Sequence, residues 1–284
     1  MISPRKGVEQ VRVSRFEHGT GRSKRDAVAV EEPLEIRVEL AGDRRPHAVS
    51  VTMRTPVDDF ELAAGFLYGE GLISGAEDIH EITYCQGDEP QTYNIVVVRL
   101  KPEATFDPAD LNRNFYMTSS CGVCGKASLE AVEVTCAPLP EGDLRVEPAV
   151  LQAVPDRLRA GQGLFERTGG IHAAGLFDGE GVLLTLKEDV GRHNALDKVV
   201  GHELLAGRLP LRDGILGVSG RLSFEIMQKA LAAGISIVVA VGAPSSLAVD
   251  LSKRFNMTLV GFTRDERFNV YSGGFRITER QAGA

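Results

Sequence analysis

Two cysteines two residues apart, Cys121 and Cys124, sit in the run SSCGVCGK among small residues and one lysine. Such a pair can ligate zinc, exchange electrons as a dithiol, pack as two small apolar groups, or act as a sulfur nucleophile. Zinc needs about four ligands, usually from a second CxxC or from spaced histidines. Here Cys85 and Cys136 are isolated, and no histidine lies within 35 residues of Cys124. A thioredoxin-like pair should close a first strand and open a helix, whereas this one precedes the main run of alternating strands and helices. A sulfur nucleophile needs a lowered pKa, access and a compliant backbone. Gly122 and Gly125 allow close approach, Lys126 brings positive charge, and a helix over KASLEAVEV would add its N-terminal dipole. Cys121, ahead of both glycines, is the thiol expected to be exposed; zinc and redox chemistry stay open as alternatives.

A second group of chemistry-bearing residues lies near the C-terminus. GFTRDERFNVYSG follows a predicted strand and places Arg264 and Arg267 near its end. Arginine pairs grip phosphate bidentately, and acidic or amide side chains can read the edge of a guanine base. The bland reading is an exposed strand end whose charges pair with one another. EDVGRHNALDKVVG puts Asp189, Arg192, His193 and Asn194 at a strand-to-helix junction, with Asn194 a candidate helix cap. Capping plus a salt bridge competes there with a role for Arg192 or His193 in holding a phosphate or easing sulfur transfer. His172 divides in the same way. GVSGRLS and VGAPSS are strand-to-helix turns whose backbone donors, with Arg221 in the first, could face an anion. Neither carries the GK[ST] of a P-loop, so nucleotide hydrolysis is not implied.

These residues need a scaffold, and hydrophobic periodicity outlines one. Residues 1–25 are polar and basic and read as a flexible arm. LEIRVEL and HAVSVTM alternate as antiparallel strands, DDFELAAGFLYGEGLI has the spacing of a core helix, and HEITYC and TYNIVVVRL return to strand. This predicts a small α+β domain over 26–112. Over 113–284, continuous apolar strands alternate with helices of about 10 to 15 residues, the pattern of a layered α/β domain with parallel later strands. A break is expected near Pro155 in the helix that opens this part. Ligands in such sheets bind beyond the carboxyl ends of the strands.

The 284 residues carry a net charge of −7, with 43% hydrophobic and 25% charged residues. That balance argues against broad binding to nucleic acid or membrane surfaces, although a local basic patch remains compatible with one phosphate-bearing ligand. No apolar run reaches the roughly 18 residues of a membrane span, and the first residues lack the apolar core of a signal peptide. A cytoplasmic location follows as the expectation, where cysteines stay reduced.

Taken together and in order, TPVDDFELAAGFLYGEGLI, SSCGVCGK, TGGIHAAGLFD, EDVGRHNALDKVVG, SGRLSFEIMQKALAAGI, GAPSSLAVDLS and GFTRDERFNVYSG resemble the FdhD family (FdhD/NarQ) from about residue 30 to 278. The resemblance implies a sulfur carrier needed for formate dehydrogenase activity, sulfurtransferase-like rather than a turnover enzyme. Cys121 would accept sulfur from a cysteine desulfurase as a persulfide, with Cys124 as a possible helper. The acceptor would be the molybdenum cofactor, a bis(molybdopterin guanine dinucleotide), held as cargo before it enters formate dehydrogenase. Phe262, Thr263, Arg264, Asp265, Glu266 and Arg267 would bind that cofactor, and no resident metal is implied. The partners would be the desulfurase and formate dehydrogenase, with no nucleic acid or membrane, and the default assembly a homodimer. The fold implied is α/β, a cytidine-deaminase-like three-layer α/β domain with the smaller N-terminal α+β domain. Deaminase chemistry itself is disfavoured: Ala174 stands where H-x-E needs its glutamate, and the CxxC precedes His172 instead of following it. The alternative function is a zinc-binding or cofactor-binding chaperone module that transfers no sulfur.

Overall fold

The computed structural model describes residues 6–43, 45–85, 92–104, 136–142, 144–264 and 267–278. Cys121, Cys124, Asp265, Glu266 and the boundary expected at 112/113 lie outside these residues.

The N-terminal half builds a four-stranded sheet from β3 (Glu32–Glu39), β4 (His47–Arg54), β5 (Ile79–Tyr84) and β6 (Ile95–Leu100), in the order β4-β3-β6-β5. Alternation turns Leu34, Ile36 and Val38 of β3 inward, where they meet Val96 and Val98 of β6. Helix α1 (Asp59–Gly69) covers this face with Leu62, Ala63 and Leu67.

The second half is a six-stranded mixed sheet in the order β12-β11-β10-β9-β7-β8. It comprises β7 (His172–Phe177), β8 (Leu183–Asp189), β9 (Ile215–Val218), β10 (Ile237–Ala240), β11 (Thr258–Arg264) and β12 (Arg267–Ser272). β9, β10 and β11 are parallel, as their continuous apolar sequences predict; β7, β8 and β12 pair antiparallel. Adjacent residues face opposite layers. Ile215, Ile237, Val239 and Val260 pack with α2 (Pro148–Gly161), while Leu216, Val238 and Leu259 pack with α4 (Arg192–Leu205), α5 (Phe224–Ala232) and α6 (Ser246–Arg254).

Glycine joins the two sheets' helices. Gly65 of α1 and Gly201 of α4 meet so closely that a Cβ on Gly65 would run into the Asp197 carbonyl, and one on Gly201 into that of Glu61. A buried polar lattice adds specificity to this contact. Asp189 pairs with Lys198 at 2.7 Å and accepts from the Thr55 and Gly191 amides, while Lys198 donates to the Thr55 carbonyl at 3.0 Å. Arg54 forks onto Asp59 with both bonds at 2.9 Å.

Three expectations are corrected. Of residues 1–25, expected as a flexible arm, those from Val8 onward belong to the antiparallel hairpin β1 (Val8–Glu17) and β2 (Thr20–Ala29). His18 and Gly19 both have positive φ at its tip, as a tight two-residue turn demands. The helix does not break at Pro155. α2 runs through it, and the chain changes direction at Gln162 before a short α3 (Gly163–Thr168). Asn194 does not cap α4: Gly191 occupies that position, and the Asn194 amide instead donates to Met53 and Asp189 while accepting from Thr52.

Candidate functional site

Five strand ends converge on one edge of the six-stranded sheet. β9, β10 and β11 finish there because they are parallel; β7 begins there and β8 ends there because each runs antiparallel to its neighbour. A cavity of about 910 Å³ opens at this edge, lined by Ser219, Val241, Thr263, Arg264, His172 and Val190 from the strand side. α2 and α3 form the opposite wall with Asp156, Arg159, Gln162 and Phe165. Gly169, at φ +67, ends α3 and lets the chain turn back toward His172.

The cavity is polar in two separate places. Deep in its wall, Thr263 is fully buried and Gln162 is 4% exposed, yet the Thr263 hydroxyl and the Gln162 Nε2 have no hydrogen-bonding partner among the described residues. Buried polar atoms are paired in the great majority of cases, because an orphan donor forfeits its hydration. At the mouth stand the exposed Arg264 and Arg159, with Asp156 beside them. Arg159 lies 4.4 Å over the Phe165 ring. Burial, and after it the neighbouring Arg192 guanidinium, holds the His172 imidazole below its ordinary pKa, outweighing Asp189. The site therefore combines a neutral imidazole and unpaired neutral donors inside with guanidinium groups outside. Such a layout suits a flat heteroaromatic ring with hydrogen-bonding edges that carries an anionic tail.

Of the stretch 262–267, Thr263 and Arg264 line the cavity. Phe262 is 40% exposed, adopts φ +54 and contributes no lining; Arg267 pairs with Arg264 across β11 and β12 but also lies off the cavity. The turns expected to cradle an anion bond to each other instead. The Gly242 amide donates to Gly220, Leu222 to Ala243, and Ser245 to Leu222. His193 is not among the lining residues; it lies 3.2 Å from the Ser223 hydroxyl and 3.8 Å from Glu225. Its pKa is pushed down to about 4 by burial, then by Arg192 and Lys229. Among the described residues, no group of three His, Cys, Asp or Glu side chains is arranged to hold a metal ion.

Sequence reasoning overlooked Asp156, Arg159 and Gln162. A signal was present: Gln152, Asp156 and Arg159 recur at helical spacing on α2, beside the apolar series Leu151, Val154 and Leu158.

A family model described as the FdhD/NarQ family matches residues 29–278. A sulfur carrier protein FdhD from Streptomyces avermitilis is 50% identical over 281 residues, covering 97% of this chain and 98% of that protein. One of the same description from Mycolicibacterium paratuberculosis is 50% identical over 270 residues, covering 94% and 97%. The crystal structure of a protein assigned as a formate dehydrogenase accessory protein from Desulfotalea psychrophila superposes with a TM-score of 0.74 at 29% identity, covering 96% of this chain and all of that one.

Proposed function

Because this chain belongs to the FdhD/NarQ family, we propose that it is a sulfur carrier serving a formate dehydrogenase, loading sulfur on Cys121 and delivering it to a guanine-dinucleotide molybdenum cofactor bound in the strand-edge cavity. The observation that carries the reading is that cavity, with unpaired neutral donors inside and arginines at its mouth. Gln162 would read the base, Thr263 would hold its ring system, and Arg159 and Arg264 at the mouth would take the phosphates. The names borne by the relatives support the carrier role. The six-stranded part reads as cytidine-deaminase-like, supported by its mixed sheet between helical layers. Among the described residues no helix is long and apolar enough to cross a membrane; the reading extends to a cytoplasmic homodimer, the commonest closed assembly.

The sulfur chemistry balances with two cysteines. The Cys121 thiolate attacks the outer sulfur of a persulfide on the cysteine desulfurase. The S–S bond breaks, the desulfurase thiolate leaves, and Cys121 carries the persulfide. Delivery as hydrosulfide needs two electrons. The Cys124 thiolate supplies them by attacking the inner sulfur, closing a Cys121–Cys124 disulfide and freeing the outer sulfur for the metal. Cys124→Ala should therefore load sulfur normally but release it only when an external thiol is added.

Binding of GDP, followed by calorimetry, tests the cargo site. Arg264→Ala and Arg159→Ala should each weaken it about ten-fold, as loss of a charge-assisted contact to phosphate does. Unchanged affinity in both variants would exclude this cavity as the cargo site.

A further inference from the structure

We propose that Arg192 and His172 hold hydrosulfide in the gap that Gly220 leaves beside them, between its release from the carrier cysteine and its passage to the cargo. The inference rests on the reading that this chain delivers sulfur to a cofactor in the strand-edge cavity.

Arg192 is a cation without a counter-charge. It opens α4 partly buried, its Nε is enclosed with no hydrogen-bonding partner, and the first turn of that helix carries no acidic residue. The neighbouring Asp189 is already taken by Lys198 at 2.7 Å. Among the described residues no group hydrogen-bonds or ion-pairs with the Arg192 guanidinium or with the His172 ring. An enclosed charged donor left unpaired costs more than a neutral one, so its presence points to an anion that satisfies it. The two side chains are electrostatic neighbours, since Arg192 helps burial to keep His172 neutral. A neutral imidazole still offers one N–H to an anion held by the guanidinium.

Gly220 marks where that anion fits. It follows Ser219 of the cavity lining, in the turn between β9 and α5. A Cβ on Gly220 would stand 3.5 Å from His172 Nδ1 and 3.9 Å from Arg192 Cδ, and its φ is not left-handed. Neither a clash nor the backbone therefore demands glycine, and the missing side chain leaves room for a single heavy atom. Size selects the occupant. A phosphate is too large for that gap, and Arg159 and Arg264 already stand at the mouth to meet one. Hydrosulfide has one heavy atom and one negative charge. On the proposed route it forms as the Cys121–Cys124 disulfide closes: the persulfide S–S bond breaks, and the outer sulfur leaves with the bonding pair and its proton. Capture by Arg192 breaks no further bond. It keeps a diffusible anion beside the cavity until the metal takes it.

The test titrates sodium hydrosulfide into the full chain while NMR follows the histidine ring resonances. His172 should shift saturably, with His18, His47, His80 and His202 unmoved. R192Q, which removes the charge, and G220A, which fills the gap, should each weaken this response about ten-fold. Both variants should keep the GDP affinity of the unmodified protein and a melting temperature no lower, which separates a lost anion site from lost folding or lost cargo binding. No shift of His172, an equal response to chloride, an undiminished response in either variant, or a loss matched by lower melting temperature and GDP affinity overturns the inference alone. Failure of Cys121 to load sulfur from a desulfurase overturns the underlying reading as well.

Discussion

The Gln162 amide sits in a cavity wall with no partner for its Nε2 among the described residues, although a buried unpaired donor costs about 1–3 kcal/mol. Structure maintained at such a cost points to a ligand that satisfies the group. Gln162→Leu should consequently leave thermal stability equal or higher while lowering GDP affinity about ten-fold; a purely structural glutamine would give the opposite pattern, a lower melting temperature at constant affinity. His193 makes a different prediction. Its pKa in the folded chain, about 4, lies below the ordinary 6.5, so the native state resists protonation that the unfolded chain accepts. Its contribution to stability is complete above pH 6.5 and declines as pH falls toward 4. Denaturant titrations should show His193→Gln losing less stability than the unmodified protein across that interval. Arg264, which lines the cavity, was singled out through the family resemblance, since its place at a predicted strand end fits a self-paired charged end as well. Gln162 was not, because its role depends on a change of chain direction that the expected break at Pro155 misplaced.

At the scale of elements, the strands and helices of both sheets followed from apolar periodicity, since each buries one face or both against a neighbour. The β1–β2 hairpin did not, because both of its faces are polar and its turn is built on His18 and Gly19, a weaker signal than Asn-Gly. The α1–α4 crossing was equally hidden: a glycine in a helix looks like a defect until the partner helix arrives. Its backbone contact makes a direct prediction. Gly201→Ala must push α4 off α1, and chemical unfolding should show a loss of about 1–3 kcal/mol, typical of overpacking. Lys198→Met should cost more, about 3–5 kcal/mol, because it strands the buried Asp189 carboxylate. The EDVGRHN segment thus serves chiefly as the clasp between the two sheets, with Asp189 and Asn194 reaching Thr55 and Met53.

For the molecule as a whole, the parallel strands bring residues distant in sequence to one edge, and the cavity there is the consequence. The sequence blocks identified the family, but the wall contributed by α2 emerged only from packing. The proposed function divides the work between two groups: the cavity would hold a cofactor, and the Cys121 thiol would ferry an atom to it. The most direct measurement is the intact mass of the protein after incubation with a cysteine desulfurase and cysteine. The account predicts a gain of one sulfur, about 32 Da, that reductant removes and that is absent from Cys121→Ala. The same gain on Cys121→Ala would contradict it.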